Sequence, residues 1–430
     1  MAYISLKDVK SKLDQEVSVQ GWVYNFRSSG NIFFLQLRDG SGNIQAIVAK
    51  DTVSEKTWKM IERITIESSL EVTGVVKRHP TRDEYELQVQ EAQIYAYAQE
   101  YPIGKKEHGP DFLLDNRHLW LRSPRQEAIL RIRSAILFYL QEFYNKEGFY
   151  LTHTPTITGS ACEGGSDLFE IDYFGEKAYL TQNGQLYLEA LAMSLGKVYD
   201  LNPNFRAEKS KTRRHLIEFW TLNPEIAFCD LARSLDYQEK TFVYLCSKLL
   251  ENHGDEFKIL ERDTTCIQNA AQGNFPRLTH RDATTKLQQL GSKIGDREDL
   301  GAEDETILTK QFDRPIFITR YPAEVKAFYM EPDPEDSTRV LNNDMLAPEG
   351  YGEIVGGSQR IADYDLLFQK IKDNNLNQKD YEWYLDLRRY GSVPHSGYGI
   401  GIERTVAWIC GLEHVRESIP FPRLLNRLYP

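Results

Sequence analysis

Cysteine is scarce in this chain and poorly placed for structural work. The 430 residues hold five, at 162, 229, 246, 266 and 410. None falls in a C-x-x-C pair, so no zinc site is indicated, and the odd, scattered set suits a reducing cytoplasm. No run of about 18 apolar residues exists, so no segment reads as a membrane-spanning helix. The start, MAYISLKDVKSKL, lacks the apolar core of a secretory signal. Positive charge is not in excess: 52 Lys and Arg stand against 63 Asp and Glu, a net of −11. A protein that only coats nucleic acid is usually basic. Any nucleic-acid partner must therefore be held by local patches rather than by the mean field. Internal repeats and low-complexity blocks are also missing.

What is present is the composition of a globular enzyme, 41% hydrophobic, 27% charged and 12% aromatic. At roughly 150 residues per domain, the length allows two to three domains. The first hundred residues read as strands: EVSVQGWV (16–23), IFFLQLRD (32–39), NIQAIVA (43–49), SLEVTGVV (69–76) and YELQVQEAQIYAYA (85–98). Turn residues separate them, and TVSEKTWKMIERI lies after the third as one helix. Five short strands with a helix after the third is the order of an OB barrel, although spacing alone also fits other small barrels. Residues 101–122, with Pro102, Gly104, Gly109 and Pro110, have linker composition. Ser123-Pro124-Arg125-Gln126 then opens a helix, with Ser as N-cap, Pro in the first turn and Gln completing a capping box. Ile129, Ile132, Ile136, Tyr139, Leu140 and Phe143 recur at helical spacing until Gly148. The acidic stretch KIGDREDLGAEDE (293–305) reads as a solvated surface insertion.

Three stretches carry chemistry. FRAEKSKTRRHLIEFW (205–220) puts Arg206, Lys209, Lys211, Arg213, Arg214 and His215 around a polar turn between strand-like flanks. Guanidinium forks suit phosphate oxygens, and Phe219 offers a flat face to a base. A solvated charged hairpin is the bland alternative. In SGYGIGIERTVAWICG (396–411), Gly397, Gly399 and Gly401 leave one strand face bare, so another group can lie against it. Arg404 follows at the start of an apolar helix. In NNDMLAPEGYGEIVGGSQR (342–360), Asp344 and Glu353 are candidate hard oxygen ligands for Mg²⁺.

These stretches resemble motifs 2 and 3 of the class II aminoacyl-tRNA synthetases. NKEGFYLTHTPTIT (145–158), with Pro155, resembles motif 1, which in that class forms a dimer interface. GWVYNFR (21–27) and FFLQLRDGSGNIQ (33–45) look like the anticodon-binding OB domain of the aspartyl/asparaginyl/lysyl subgroup. The ending, RRYGSVPHSGYGIGIERTVAWICGLEHVRESIPFPRLLNRLYP, looks most like the asparaginyl branch. The resemblance covers essentially the whole chain, in order. It implies an α+β fold: an OB barrel over 1–100, a hinge over 101–122, and a catalytic domain over 123–430 built on an antiparallel sheet flanked by helices.

The resemblance also implies a reaction. Asparagine's carboxylate attacks the α-phosphate of ATP, and the adenylate passes asparagine to the terminal ribose of its tRNA. The attacking carboxylate is already ionised near neutral pH, so catalysis is positioning plus charge stabilisation. By motif match, Arg206 holds the α-phosphate and the attacking carboxylate. Arg404 and His215 contact the γ-phosphate end, Phe219 stacks on adenine, and Glu208 lies near its amino group or the phosphates. Asp344 and Glu353 hold Mg²⁺. Arg213 and Arg214 are alternatives in the motif 2 loop. Glu163 belongs to the loop that closes on the amino acid, and Gln185 contacts its α-amino group. Arg360 donates to the side-chain amide oxygen, and Glu225 accepts from its nitrogen, with Asn223 as the near alternative. Leu188 stands where aspartate enzymes carry a Lys. In the barrel, Phe34 and Gln45 read the central anticodon base, and Arg27 joins the backbone contacts. An aspartyl enzyme would want that Lys at 188. A non-catalytic RNA-binding paralogue would be expected to lose Arg206, Glu353 or Arg404. A cytoplasmic homodimer without membrane contact completes the expectation.

Overall fold

The computed structural model describes residues 3–104, 106–159, 168–209 and 212–430. They form two compact units, Met1–Leu114 and Asp115–Pro430. In the first, strands β1 (Glu16–Ser29), β2 (Ile32–Arg38), β3 (Asn43–Ala49), β4 (Ser69–Arg78) and β5 (Tyr85–Ala96) close a barrel in the order β1-β2-β3-β5-β4. The helix Glu55–Ile61 follows β3 and is capped by the Ser54 side chain. Alternation fills the barrel: Val17, Val19, Val23, Leu35, Leu37, Ala46, Val48, Leu70 and Val72 are buried together. β1 runs to Ser29, six residues past the expected end, because Arg27, Ser28 and Ser29 keep pairing with Phe34, Phe33 and Ile32.

The second unit adds β6 (Tyr150–Leu151), β7 (Ile157–Thr158), β8 (Glu170–Tyr173), β9 (Glu176–Leu180), β10 (Lys197–Phe205), β11 (Glu218–Ala227), β12 (Arg277–Thr279), β13 (Ile316–Thr319), β14 (Asn342–Ala347), β15 (Gly352–Gln359) and β16 (His395–Gly401). Eight of these form one sheet in the order β12-β13-β14-β15-β16-β11-β10-β6, and β7-β9-β8 form a small one. The large sheet is antiparallel except at its ends, where β12 pairs parallel with β13 and β6 with β10. Helices Pro124–Lys146, Leu231–Asn252 and Ile402–Cys410 bury Ile132, Ile136, Phe242, Leu245, Val406 and Trp408 in one core with Leu222, Ile226 and Ile400 of the sheet. The other face carries a second apolar core at its β13–β14 end, where Ile316, Ile318 and Leu346 pack with Ala283, Leu287 and Leu308, and polar side chains along β10, β11 and β16.

Ser123 caps its helix as expected, accepting the Gln126 amide. The capping box does not close, because the Gln126 side chain is used elsewhere. Its Oε1 accepts from Arg117 Nη1 at 2.8 Å, and its Nε2 donates to Glu417 Oε2 at 2.9 Å. Arg117 is itself buried and donates to the carbonyls of Ile419 and Pro420. The segment expected as hinge therefore ends in packed structure: Pro110–Asp115 and Arg117–Trp120 are short helices. The acidic stretch 293–305 is only partly the solvated insertion expected. Asp296 pairs with Arg339 at 2.7 Å, Asp299 with Lys326 at 3.2 Å, and Glu305 with Arg214 at 2.6 Å. A run of like charge hides this, since its partners lie far away in sequence.

Candidate active site

β11 is the axis of the site. Leu222 and Ile226 turn to the core, so Thr221, Asn223 and Glu225 fall on the opposite face. The same alternation on β10 brings Asp200 and Asn202 beside them. On β16 it brings His395 and the three glycines. Glutamate 225 lies against Gly397, where a Cβ would overlap its Oε2. Asn223 lies against Gly399, where a Cβ would come within 2.8 Å of its Oδ1. The bare strand face read from G-x-G-x-G is thus occupied by the polar side chains of β11.

One end of this face is an ion-pair floor. Arg360 Nε donates to Glu225 Oε1 at 3.1 Å and Nη2 to Oε2 at 2.9 Å, while Nη1 donates to Ser358 Oγ at 2.7 Å. Beneath it, Glu189 accepts from Tyr384 Oη and Arg388 Nη2, both at 2.7 Å, and from Gln185 Nε2 at 3.2 Å. His395 Nε2 lies 2.8 Å from the same carboxylate. Burial opposes ionisation of Glu189, but Arg388 and His395 outweigh it and hold the carboxyl well below its usual range. Burial lifts Glu225 above its usual range, Arg360 pulling the other way. Glu189, Glu225 and His395 bring ligand-type atoms within 4.8 Å of one another. Their carboxylates are taken by Arg388 and Arg360, so the cluster is a floor of ion pairs and not a metal site. Leu188 is buried against Ala192 and Val198 and brings no charge.

Behind the floor lies a buried polar row. Asp200 Oδ1 accepts from Asn223 Nδ2 at 2.7 Å, and its Oδ2 from Thr154 Oγ1 at 2.6 Å. Burial pushes the Asp200 carboxyl up to about 6.

The other end is rich in cations. Arg206, just after β10, places its guanidinium 5.4 Å from the Phe219 ring centre and 3.9 Å from Glu208 Oε1. His215 Nε2 lies 3.9 Å from Glu208 Oε2, and its Nδ1 is paired with Thr212. Burial, with Arg404 and Arg206 nearby, lowers the His215 pKa against the pull of Glu208. Arg404 Nη1 donates to Glu353 Oε2 at 2.7 Å. Burial works against the Glu353 charge, but Arg404 and Lys326 keep its carboxyl low. A bulge aims Glu353: Met345 faces Val355 and Leu346 faces Glu353, leaving Ile354 as the extra residue.

Asp344 faces Gly356 across the β14–β15 ladder. The Cβ position of Gly356 is 2.9 Å from Glu353 Oε1 and 3.7 Å from Asp344 Oδ1. Each acid spends its other oxygen on a cation, Glu353 on Arg404 and Asp344 on Lys326 at 3.0 Å. One oxygen of each therefore faces a shared, side-chain-free space. That arrangement fits a hard divalent cation. Burial, with Glu353 and Asp299 nearby, raises Asp344 to about 6 against the pull of Lys326.

In the barrel, alternation settles which phenylalanine faces out. Phe33 packs inward, edge-on to Trp58 at 5.3 Å, whereas Phe34 lies under the Arg27 guanidinium at 4.5 Å. Gln36 pairs with Gln45 across β2–β3, and Gln45 Nε2 donates to Glu86 Oε1 at 2.6 Å. Arg27, Phe34 and Gln45 thus share the outer face.

Glu163 lies outside the described residues, as does Cys162. The remaining expected residues gather as described: Arg206, Glu208, His215, Phe219, Glu353, Asp344 and Arg404 at one end, Gln185, Glu225 and Arg360 at the other. Sequence reading missed Glu189, Asp200, Tyr384, Arg388, His395, Glu305 and Lys326. Two had a signal. Glu189 is four residues after Gln185 in one helix and so shares its face. His395 is two residues before Gly397 in one strand.

This geometry agrees with the family comparisons. The model of class II tRNA synthetases (D, K and N) matches residues 109–425, and that of the OB-fold nucleic acid binding domain matches residues 17–95. The chain belongs to the class II tRNA synthetases of the D, K and N group. Within that group, the asparagine–tRNA ligase of Desulforamulus reducens is 50% identical over 426 residues, 99% of each protein. Asparaginyl-tRNA synthetase from Pyrococcus horikoshii, complexed with asparaginyl-adenylate, is 43% identical and matches over the whole of both chains with a TM-score of 0.97. The Entamoeba histolytica asparaginyl enzyme, also with asparaginyl-adenylate, is 32% identical with a TM-score of 0.90, again over both whole chains.

Proposed function

We propose that this chain is an asparagine–tRNA ligase. It activates asparagine with ATP and passes it to the 3′-terminal adenosine of asparagine tRNA. The observation that carries the substrate choice is the buried Glu225–Arg360 pair. Three of the five Arg360 donors are spent on Glu225 and Ser358. The pair thus keeps guanidinium donors and carboxylate lone pairs together, which is what an amide needs. Two carboxylates, Glu189 and Glu225, balance two guanidiniums, Arg360 and Arg388. An aspartate carboxylate would find no uncommitted cation and would face Glu225, which disfavours it.

Binding runs along β11. The asparagine side chain meets Glu225 and Arg360, its α-amino group meets Gln185, and adenine meets Phe219. Arg206 brings the attacking carboxylate and the α-phosphate together. As the new C–O–P bond forms, the bond to pyrophosphate breaks, and charge grows on oxygens facing Arg404 and His215, with Glu208 holding His215 and Arg206 in place. Mg²⁺ held by Asp344 and Glu353 would neutralise phosphate charge there. No general base is required in this step.

The barrel reads the anticodon: Phe34 stacks on a base, Gln45 reads its edge and Arg27 meets the backbone. A homodimer through motif 1, residues 145–158, is supported by exposed Tyr150, Leu151 and Ile157. Among the described residues Cys229, Cys246, Cys266 and Cys410 are free, which suits a cytoplasmic enzyme. Amino-acid-dependent ATP–pyrophosphate exchange, with asparagine and aspartate side by side in Mg²⁺, tests the reading. Exchange with asparagine alone supports it. Exchange with aspartate alone sinks the pocket assignment, and no exchange with either sinks the catalytic one.

A further inference from the structure

We propose that Glu305 and Arg214 form a clamp that positions the ATP end of the site without touching ATP. The proposal rests on the assignment of that end to the nucleotide.

Arg214 follows β10 in the charged loop and immediately precedes His215. Its fork is engaged: Nη1 donates to Glu305 Oε2 at 2.6 Å, and Nη2 to Thr306 Oγ1 at 2.5 Å and to the Gly350 carbonyl at 2.6 Å. Both acidic and hydroxyl partners come from the helix Ala302–Thr309, at the end of the acidic stretch. The same Glu305 Oε2 accepts the backbone N–H of Glu353 at 3.1 Å. One carboxylate oxygen thus ties the loop that carries His215 to the strand that carries Glu353. The two side chains are only 9% and 13% exposed, so solvent screens the pair weakly.

The backbone is shaped around this pair. Gly352 opens β15 with φ +76°, and a Cβ there would overlap both Arg214 Nη1 and Glu305 Oε2. Arg213 adds a weaker tie, Nη2 to the Gly350 carbonyl at 3.3 Å, and its own carbonyl accepts from Val415. The Arg214 charge is already balanced by the Glu305 carboxylate, and three of its N–H donors are held by the protein before any phosphate arrives. Arg214 is therefore a positioning residue that acts through His215 and Glu353. None of these contacts reaches Glu225, Arg360 or Gln185 at the asparagine end. That asymmetry is what a test can read.

The experiment is ATP–pyrophosphate exchange with ATP and asparagine varied in turn, together with calorimetric binding of ATP in Mg²⁺. The variants are Glu305→Gln, Arg214→Gln, the two combined, and Gly352→Ala, which displaces the pair without altering either charge. Each singly is expected to raise KM for ATP and weaken ATP binding by about tenfold, with KM for asparagine within about twofold of wild type. The combined variant should be no worse than the worse single, because one interaction is lost only once. Thermal melting identifies any variant that does not fold, and Arg214→Lys, which keeps the charge but not the fork, then replaces it. Equal effects on both substrates, unchanged ATP binding in folded variants, or independent losses in the combined variant would overturn the clamp. Arg404→Ala separates the two readings. If it leaves ATP binding unchanged, the nucleotide assignment fails; if it weakens binding while Glu305→Gln does not, the clamp alone fails.

Discussion

Glu225 and Arg360 are each costly to bury and stay charged only because they face each other. Removing one partner of such a pair costs about 3–5 kcal/mol, since the other is left buried and unpaired. Glu225→Gln keeps the shape but removes the negative charge that faces an incoming aspartate. Exchange kinetics should show kcat/KM for asparagine falling about 100-fold, with the asparagine-to-aspartate preference narrowing by a similar factor. An unchanged preference would mean that selection lies elsewhere in the pocket. Asp200 gives a pH signature at the same scale. Its carboxyl is fully buried and raised from 3.8 to about 6. The native state therefore disfavours its charge. Its contribution to stability is whole below about pH 4 and is lost as pH rises to about 6, by up to about 3 kcal/mol at 1.36 kcal/mol per unit. Denaturant melts of wild type and Asp200→Asn across pH 4–7 should show the wild type losing stability relative to the variant over that window. Parallel pH profiles would show that Asp200 titrates normally.

Elements place these residues, and β16 shows how tightly. Gly397 sits where any Cβ would overlap Glu225 Oε2 and lie 2.6 Å from the Pro224 carbonyl. Gly397→Ala must push β16 from β11 or Glu225 off Arg360. A loss of about 100-fold in asparagine-dependent exchange is expected, with destabilisation of about 1–3 kcal/mol from overpacking. Near-normal exchange would show that the strands can part without consequence. At this scale the sequence was legible wherever a pattern is local. The alternating runs marked all five barrel strands, Ser123 marked a helix start, and G-x-G-x-G marked a bare strand face. It did not say what lay on that face. Glu225 and Asn223 reach it only because β11 pairs with β16, which lies far along the chain: Glu225 faces Gly397. Gln126 failed as a capping box for the same reason, since Arg117 and Glu417 claim it through tertiary packing. Arg388 and Tyr384 had no local signal at all: each is a common residue on an amphipathic helix until Glu189 is placed beneath it. The bulge at Ile354 that aims Glu353 was equally invisible, because a strand written in one dimension carries no register.

At the scale of the whole molecule, the two units separate two kinds of recognition. Every residue proposed for asparagine activation lies in Asp115–Pro430, whereas Phe34, Gln45 and Arg27, proposed for the anticodon, belong to the barrel. Phe34 contributes little to the barrel core, which is built from the opposite face of β2 through Leu35 and Leu37. Removing its ring should leave the fold intact and cost only what stacking supplies, about 1–3 kcal/mol per base. Phe34→Ala is therefore expected to weaken tRNA binding by about 5- to 150-fold and to slow aminoacylation at low tRNA. Its tRNA-free ATP–pyrophosphate exchange should match wild type. The salt dependence of binding should also persist, because the backbone contacts proposed for Arg27 do not involve the Phe34 ring, despite the net charge of −11. The discriminating measurement compares exchange and aminoacylation in the same preparation. If both fall together, Phe34 holds the fold and not the anticodon. If neither changes, the anticodon is read on another face of the barrel. A loss confined to the tRNA step assigns the outer face of β1–β2–β3 to the anticodon, and it explains how an acidic protein holds RNA through one aromatic patch.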